Sequence, residues 1–491
     1  MRLLNRKPLL IGSSVLLATL AALGVGLSRR DVAVTVPAGT RIQVRLAQSI
    51  SSQRAASGEP FQATVAEAVV IDGKTVIPQN APVQGRIRYA HESGRLHGVA
   101  RVSLAAIAYV YFGYPLLLRL GAVGRRQSFR RGTAQPTVSI IMAAHNEEAG
   151  IEAKLHNLLA LDYPPERVEI LVGNDGSSDK TEDIVRQFAH EGVNLISLPQ
   201  QRGKSAMQNA LVAAASGEIL AFTDADCLLP SRALRLLVEN FADPHVGLVT
   251  ARPRYMNHSE TSVTENESLY LRYETWLREQ ESQRGILAMA SGSLFAVRRS
   301  LWRPLDPALG DDFVLPLRVA RAGMRNMLDS RVTAVTRLDQ NRPGSMLRMK
   351  SRIISKDCRA LLAHRDLLDP LRHGPLAIGL WSHKLLRWLV PYLLLALAAS
   401  NTALLGLPLF RIFFGLQAAF YAIAFAGLSR RKSVSGIPWS VPASFCLVNL
   451  AALLGTLQCI AGRTSGKWKP ERKRSVAIRA NPEPLASRTF R

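Results

Sequence analysis

The residues with the clearest chemical potential form a short acidic turn, Thr223-Asp-Ala-Asp-Cys227, directly after an apolar stretch that predicts a strand over residues 219–223. Side chains two residues apart on extended chain project to the same side. Asp224 and Asp226 can therefore offer oxygen ligands to one hard divalent cation, which in turn binds phosphate oxygens. Such a cation suits a substrate whose diphosphate leaving group needs its charge neutralised. Taken alone, an Asp-x-Asp sequence is equally typical of a solvated turn.

Further polar residues follow other predicted strands. Glu147 lies in the turn after the first of them, and Asp175 ends the second, where a carboxylate can accept a hydrogen bond from the imide N–H of a nucleobase. Gly203 opens a predicted helix, so that backbone N–H groups and the ammonium of Lys204 can face a phosphate. This loop is not a Walker A loop, because Leu198 stands where that loop needs glycine. A solvated basic loop is the alternative interpretation.

These positions depend on an alternation of strand and helix between residues 136 and 365. Strands are predicted at 137–143, 168–172, 194–198, 219–223 and 246–251, and helices at about 148–160, 179–190, 203–215 and 230–240. The alternation predicts an α/β domain with an open, mostly parallel sheet and helices on both faces. Such sheets bind ligands at the carboxyl ends of their strands, which is where the polar residues lie.

Apolar residues are concentrated in blocks long enough to cross a membrane. Residues 8–27 carry no charge and are flanked by basic residues, and about 20 such residues span a bilayer core. The lack of a clear cleavage site before Arg29 favours an uncleaved anchor over a signal peptide. Further blocks lie at 102–118, 385–407, 408–428 and 439–461, and Arg411 leaves the boundary of one of them open.

The formal net charge of +25 does not indicate nucleic-acid binding. Basic clusters at 125–131, 430–432 and 467–474 adjoin the apolar blocks, where positive residues set orientation and hold anionic lipid. No aromatic platform for stacked bases is interleaved with them. The four cysteines show no metal-ligand spacing and are expected as reduced or buried thiols. Membrane lipids, and no nucleic acid, are therefore the expected partners.

The chain is expected to divide into six segments. They are a membrane anchor or signal at 1–30, a small β-rich module at 31–100, a transmembrane helix at 101–122, the α/β catalytic domain at 123–375, a C-terminal region of two to three transmembrane helices at 376–462, and a basic disordered tail at 463–491. Short β-branched runs separated by turn residues indicate the β-rich module. Residues 100–106 fit either its last strand or the start of the membrane helix.

An ordered set of four motifs resembles the inverting family-2 glycosyltransferases. The motifs are Ala143-Ala-His-Asn-Glu147, Asn174-Asp-Gly-Ser-Ser-Asp179, Arg202-Gly-Lys204 and Asp224-Ala-Asp226. The resemblance covers residues 136–365, and segments 109–115 and 382–387 are similar to membrane blocks of bacterial members. It implies a nucleotide-binding fold of the GT-A (Rossmann-like) type, a nucleotide-sugar donor with UDP-sugar favoured, and a divalent cation, Mg²⁺ or Mn²⁺.

The donor-binding residues that the resemblance implies are Ala143, Glu147, Asp175, Lys204, Asp224, Lys350 and Arg352. The first three would line the nucleoside pocket, and Lys204 would lie near the pyrophosphate. Asp226 would be the direct metal ligand, with Asp224 beside it. His145 stands where the family often has Tyr and is expected as pocket wall rather than as a catalyst. Asp179 is expected to cap the helix that follows it.

The second half of the domain resembles the family's acceptor side. Within residues 290–299, Gly292 beside Ser293 would permit the close approach of an acceptor sugar. Asp311 and Asp312 resemble an acidic pair before a helix. Inversion by direct displacement needs one base to take the acceptor's hydroxyl proton, and such a base supplies roughly 10²–10⁴-fold. Asp312 fits best and Asp311 is the fallback. The alternative is that both acids favour the dipole of the helix expected at 312–322.

One segment departs from the processive members of the family. They carry Gln-x-x-Arg-Trp where this chain has Met349-Lys-Ser-Arg-Ile353. Arg352 remains, and together with Lys350 it can neutralise the departing diphosphate. The missing Trp removes a stacking platform for a growing polymer, which favours the transfer of single sugars.

These observations favour an inverting glycosyltransferase of the inner membrane that acts on a glycan or lipid-linked acceptor in polysaccharide or glycolipid synthesis. One alternative is a processive synthase. The other is a non-enzymatic envelope protein with an inactive domain, and the presence of Asp175, Asp224, Asp226 and Asp312 argues against it. A cytoplasmic N-terminus would place the catalytic domain inside and the β-module outside. Three C-terminal spans would then place the basic tail outside, against the positive-inside rule. Either one block is not a span, or the rule fails here.

Overall fold

The computed structural model describes residues 36, 40, 42–47, 58–71, 73–86, 95–255, 262–336, 343–429 and 437–462. The chain divides into two compact units, Met1–Val99 and Ala100–Arg491. The expected anchor at 1–30 and the expected tail at 463–491 lie outside the described residues, as does most of the segment 31–57 of the expected β-rich module.

The described part of the first unit is built from short strands: β1 (Val44–Leu46), β2 (Pro60–Val65), β3 (Val69–Ile71), β4 (Lys74–Ile77) and β5 (Pro82–Arg86). In it, β1, β2 and β5 form an antiparallel sheet, and β3 pairs with β4. Ala63 and Val65 on β2 are buried and give this unit a small core. The β-rich character expected for the N-terminal module is confirmed for its described residues up to Arg86, whereas Arg95 already begins the helix α1.

The described strands of the second unit are β6 (Val138–Ala144), β7 (Val168–Asp175), β8 (Val193–Leu198), β9 (Ile219–Thr223), β10 (Cys227–Leu228), β11 (Val246–Tyr255), β12 (Leu294–Arg298) and β13 (Arg325–Thr336). These eight form one sheet in the order β10-β13-β11-β12-β9-β6-β7-β8. From β9 to β8 all pairs are parallel, as expected. Beyond β9 the sheet is mixed, because β12 runs antiparallel to both neighbours.

The described helices before the C-terminal region are α1 (Arg95–Ala108), α2 (Tyr114–Arg119), α3 (Ile151–Leu159), α4 (Thr181–Gln187), α5 (Lys204–Ala214), α6 (Ala233–Val238), α7 (Ser262–Ser282), α8 (Asp311–Arg321) and α9 (Pro343–Ala363). The helices expected between the first strands are all present, with shorter ends. The N-cap position of α4 is Lys180, and the Asp179 carboxylate, one residue earlier, accepts the N–H of Thr181 at 3.0 Å.

Both faces of the sheet are buried, which explains the nearly unbroken apolar sequence of its central strands. On β6, Val138, Ile140 and Met142 belong to a cluster with α3, α4 and α6, whereas Ile141 belongs to a cluster with α5, α8 and α9. This alternation is the two-residue period of a strand. Helices on both faces leave the strands' carboxyl ends free to present polar side chains.

Four described helical stretches are long and apolar enough to cross a membrane: Gly98–Arg119, Pro370–Ala403, Pro408–Leu428 and Val441–Ile460. The first joins α1 and α2 through a π-helical turn, Tyr109–Gly113, so residues 100–106 are helix and not strand. The second joins α10 (Pro370–Gly379) to α11 (Leu386–Ala403) through another π-helical turn, Leu380–Leu385. The others belong to α12 (Pro408–Ser429) and α13 (Ile437–Ile460). This composition indicates association with a membrane.

Candidate functional site

The two acids of the Asp224-Ala-Asp226 turn lie between the end of β9 and the start of β10, at the carboxyl end of the parallel strands. Both side chains are half-buried. Thr223 fixes the start of the turn, since its hydroxyl donates to the carbonyl oxygen of Ser293 at 2.9 Å. Ser293 directly precedes β12, which pairs with β9. The turn is thereby joined to the segment that the sequence assigns to the acceptor side.

Lys204 connects acids from two distant segments. Its Nζ lies 2.9 Å from Oδ1 of Asp224 and 3.2 Å from Oδ2 of Asp311. Burial alone would lower the pKa of Lys204, but the two carboxylates outweigh burial and raise it. Burial raises the pKa of Asp224, against the opposing effect of Lys204. The charged ammonium thus holds the β9 turn next to the start of α8.

The loop before Lys204 is held by Asp175 at the end of β7. Its Oδ1 accepts the N–H of Arg202 at 2.7 Å, and its Oδ2 accepts the N–H of Gly203 at 2.8 Å. Gly203 has a φ of +96°, a conformation that side chains disfavour. Asp175, expected to meet a nucleobase, thus supports the loop backbone here, and each oxygen keeps a second lone pair.

Asp311 and Asp312 begin α8 and have opposite electrostatic surroundings. Burial would raise the pKa of Asp311, but Lys204 and a 2.7 Å hydrogen bond from Gln208 outweigh it and the pKa is lowered. Burial, followed by the charges of Asp311 and Asp357, raises the pKa of Asp312 to about 7. A carboxyl group with this pKa can gain and lose a proton near neutral pH.

Gly292 marks the point where these groups converge. A Cβ placed on Gly292 would lie 3.4 Å from Oδ2 of Asp224, 3.8 Å from Oδ2 of Asp312 and 3.8 Å from Nζ of Lys204. The glycine therefore leaves open a space that three functional groups border. The neighbouring Ser293 turns its hydroxyl to Thr336, 3.3 Å away.

The residues assigned to the nucleoside lie after β6. Ala143 is half-buried at the end of the strand, and Glu147 is buried in the following turn. His145 is buried with its Nδ1 2.8 Å from the carbonyl oxygen of Asp175. Asn146 between them has a φ of +56°, which is uncommon outside glycine and occurs at functional turns. The structure brings these residues next to the loop that carries Lys204.

Helix α9 supplies basic residues on the α8 side of the site. Burial lowers the pKa of Arg352, while the charge of Asp312 acts in the opposite direction, so the guanidinium lies near that acid. Lys350 has its Nζ 4.8 Å from the centre of the Tyr270 ring, a cation–π contact. Arg352 and Lys356, rather than Lys350, are therefore the cations of α9 whose charges interact with Asp312.

A buried acid that the sequence did not single out completes the arrangement. Asp357 on α9 has Oδ2 3.2 Å from Nζ of Lys384, in the π-helical turn before α11. A Cβ on Gly310 would lie 3.1 Å from Oδ1 of Asp312 and 3.6 Å from Oδ1 of Asp357, so the two carboxylates approach one point. The site also includes Asp357, Lys384 and Gln208, which only the folded structure brings to it. For Gln208 the sequence held one signal, its position one helical turn after Lys204.

The carboxylates of Asp224 and Asp226 fit a divalent cation in part. Within the described ranges, no three His, Cys, Asp or Glu side chains are grouped so as to hold a metal ion. Two half-buried aspartates at a strand end offer hard oxygen ligands of the kind Mg²⁺ and Mn²⁺ prefer, and such ions commonly complete their coordination with substrate phosphates and water. The donor set thus fits a cation that is bound together with a diphosphate.

Residues 139–304 match the family model described as glycosyl transferase family 2. The probable glycosyltransferase YdaM of Bacillus subtilis (strain 168) is 31% identical over 245 residues, 45% of this chain and 57% of that protein. The beta-monoglucosyldiacylglycerol synthase of Trichormus variabilis is 34% identical over 168 residues, 33% of this chain and 36% of that protein. The match thus spans little more than half the length of the first relative and about a third of the second.

A solved structure, the mannosyltransferase PcManGT from Pyrobaculum calidifontis in complex with GDP-Man and Mn²⁺, superposes with a TM-score of 0.57. The sequence identity is 23%, and the match covers 74% of this chain and 99% of that one. This likeness confirms the GT-A-type α/β fold. That likeness concerns the fold alone. The family model and the two relatives support the family that the four motifs indicate, a family-2 glycosyltransferase, for the domain matched at residues 139–304.

Proposed function

We propose that the chain transfers a sugar, with inversion, from a nucleoside-diphosphate donor to a hydroxyl of an acceptor at the membrane. The observation that carries this proposal is the convergence at Gly292, where Asp224, Lys204 and Asp312 border one open space. A diphosphate-facing acid, a cation and an acid with a pKa of about 7 are the groups that such a displacement requires.

On the donor side, Ala143, Glu147 and Asp175 would hold the nucleoside, and Lys204 would lie beside the diphosphate. Asp226 with Asp224 would hold the divalent cation, which when bound would neutralise charge on the leaving diphosphate. Lys204 already neutralises two acids in this structure. When a diphosphate enters, the same ammonium can donate to phosphate oxygens, as can Arg352 and Lys350 on α9.

On the acceptor side, Gly292 and Ser293 would admit the hydroxyl and Asp312 would act as base. The acceptor oxygen forms a bond to the anomeric carbon as its proton passes to Asp312. The bond from that carbon to the diphosphate breaks on the opposite face, and its electron pair leaves with the nucleoside diphosphate. Asp311 is the weaker candidate for the base, because Lys204 and Gln208 lower its pKa and already bind its carboxylate.

The contacts of Asp357 support an acceptor that resides in the membrane. This acid approaches Asp312 on one side and pairs with Lys384 on the other. Lys384 and Arg387 are the last charges before an uncharged stretch from Trp388 to Phe410. Asp312 is thus two side chains away from the border between charged and apolar helix, where a bilayer surface would lie. The relative named for a glucosyldiacylglycerol fits a lipid-borne hydroxyl.

We also propose where the protein is located and which side of the membrane each segment occupies. The catalytic domain at 123–375 would face the cytoplasm of a cell with nucleotide sugars, anchored in the inner membrane by helices at 101–122 and 376–462. The β-module at 31–100 would lie outside, and anionic membrane lipids would contact the basic clusters. The departures at Met349 and Ile353 favour addition of single sugars over continuous polymerisation. UDP-sugars are the favoured donors.

The test is the release of nucleoside diphosphate from a panel of UDP- and GDP-sugars by membranes containing the full chain, with Mg²⁺ or Mn²⁺ and with chelator. We expect metal-dependent release from one donor and its loss in Asp226→Ala and Asp312→Asn. Asp183→Asn, the same chemical change at an exposed position on α4, should behave as wild type. Product length distinguishes single transfer from polymerisation. Lack of release from every donor, with membrane lipids supplied, would contradict the proposal.

A further inference from the structure

A lysine that the proposed reaction does not use lies directly beneath the acidic turn. Lys154 on α3 is 1% exposed and is among the largest fully buried side chains of the described residues. Its Nζ donates to Oγ1 of Thr223 at 2.9 Å and to the carbonyl oxygen of Cys227 at 2.6 Å. Lysine is almost never fully buried without a partner that requires it, and here both acceptors belong to one short turn.

The two acceptors are the first and last residues of the turn that carries Asp224 and Asp226. Lys154 therefore bridges the end of β9 and the start of β10 with one atom. A neutral amine and an ammonium both have at least two hydrogens to donate, so this bridge is independent of the protonation state. The hydroxyl of Thr223 also donates to the carbonyl oxygen of Ser293, so Lys154 is linked through Thr223 to the segment before β12.

Within the part of the chain that the structure describes, Lys154 forms no ion pair. The charges of Asp224 and Asp226 act on Lys154 electrostatically, but the direct ion pair of Asp224 is with Lys204. Its two hydrogen bonds instead hold the two ends of the turn, Thr223 and Cys227, at a fixed separation. That distance sets how far apart the two carboxylates stand and in which direction they project.

We infer that Lys154 is a positioning residue that fixes the turn Thr223–Cys227 in the shape that receives a divalent cation with its diphosphate. The inference rests on the proposed function of Asp224 and Asp226. It adds a residue of α3 to the support of the site, as partners behind metal ligands commonly do, and their loss commonly costs 10–100-fold in metal affinity or activity.

The same helix offers a matched control. Asn157, one turn after Lys154, also clamps the chain that follows the acids: its Nδ2 donates to the carbonyl oxygen of Leu229 at 2.8 Å, and its Oδ1 accepts the N–H of Leu229 at 2.9 Å. This clamp lies beyond the turn. Replacing Asn157 by Leu removes two hydrogen bonds from the same helix to the same segment while leaving Thr223 and Cys227 bridged.

The experiment measures Mn²⁺ binding to the purified full chain, with and without UDP, by electron paramagnetic resonance of free Mn²⁺. We expect Lys154→Met to weaken Mn²⁺ binding by roughly 10–100-fold, and Asn157→Leu to bind as wild type although both melt at lower temperature. Thr223→Val, which removes one end of the bridge and keeps its shape, should weaken binding in the same direction and serves if Lys154→Met does not fold.

Wild-type affinity in Lys154→Met, or in Thr223→Val where the former does not fold, would overturn the inference, as would equal weakening in Asn157→Leu. These outcomes leave the proposed function intact, because wild-type Mn²⁺ binding and donor cleavage report on that separately. A wild-type chain that binds no Mn²⁺ under either condition would overturn both.

Discussion

Two clusters of buried charge in the second unit differ in how completely their charges are paired. Where α7 meets the helix Pro370–Ala403, His383 has one ring nitrogen 2.8 Å from Glu274 and the other 2.8 Å from Glu281. Because ionised carboxylates only accept hydrogen bonds, both ring nitrogens carry a proton and the ring is a cation. Arg387 adds a second cation, 2.6 Å from Glu274. This junction cluster has a direct partner for each charge.

The cluster at the candidate site is arranged differently. Asp311 pairs with Lys204, and Asp357 pairs with Lys384. Asp312 lies near both acids, yet among the described residues no cation is within ion-pair distance of its carboxylate. Its pKa is raised to about 7, whereas the pKa of Glu274 is well below its usual value, because His383 and Arg387 outweigh the effect of burial.

This difference in pairing is what we expect between a structural cluster and the proposed catalytic one. A buried charge whose partners are all present holds two elements together and costs stability when one partner is removed. A partly buried acid that has no ion-pair partner among the described residues is poised to exchange a proton, which serves a reaction at the expense of stability. The junction cluster therefore belongs to the attachment of the domain to its membrane helices, and Asp312 to the proposed chemistry.

The largest expected effect is the loss of turnover in Asp312→Asn. Removal of the base should lower kcat by roughly 10²–10⁴-fold, measured as nucleoside diphosphate released per folded molecule. The folded-state pKa of Asp312 is raised, so its ionised form destabilises the folded protein above about pH 7. The melting temperature of Asp312→Asn at pH 8 should therefore equal or exceed that of wild type.

Asp311→Asn, the same change one residue earlier, tests which of the two acids is the base. It removes a partner of Lys204 and should raise KM for the donor more than it lowers kcat. Full turnover in Asp312→Asn together with its loss in Asp311→Asn would identify Asp311 as the base instead.

The next largest effect is on stability at the junction cluster. Glu274→Gln leaves His383 and Arg387 without their shared anion, at a cost of about 3–5 kcal/mol. We expect a clear fall in melting temperature in detergent, with kcat per folded molecule retained. Glu279→Gln on the same helix, whose carboxylate contacts Ser330 at the surface, is the control and should melt as wild type.

An intermediate effect concerns pH. Because the base must be unprotonated, turnover should fall as the pH drops through about 7, the pKa of Asp312. Asp311 and Asp357 raise this pKa, and Lys204 and Lys384 lower it. Asp357→Asn removes one negative charge, so its pH–rate profile should move to lower pH. A profile that stays in place would show that Asp357 does not act on the base.

The smallest effect is expected at an exposed pair. Arg321 lies 3.0 Å from Asp366 with both side chains substantially exposed, and such pairs contribute about 0–1 kcal/mol. Asp366→Asn should leave kcat, KM and melting temperature close to wild type. A large loss of stability there would contradict the distinction between exposed pairs and the junction cluster.

Local sequence was sufficient to predict several features of the domain. The acids of the 223–227 turn, the glycine before α5 and the acidic start of α8 are features of one strand end or one helix end, where short-range geometry decides the position. The strands β6, β7 and β9 also follow from their apolar runs, since both of their faces are buried.

The remaining features depend on long-range pairing that no local pattern contains. The antiparallel insertion of β12 between β9 and β11, the approach of Asp357 to Asp312 and the bridge from Lys154 to Cys227 each join segments distant in the chain. From the sequence alone, Lys154 would be predicted to be an ordinary exposed residue of a helix. Its burial follows from α3 packing across the carboxyl end of β9.

The most direct test of this account compares turnover per folded molecule in Asp312→Asn and Glu274→Gln, in the same membranes and with the same donor. We predict that Asp312→Asn is folded and inactive, whereas Glu274→Gln melts at lower temperature but turns over as wild type. An active Asp312→Asn beside an inactive, well-folded Glu274→Gln would place the chemistry at the junction cluster and contradict the account.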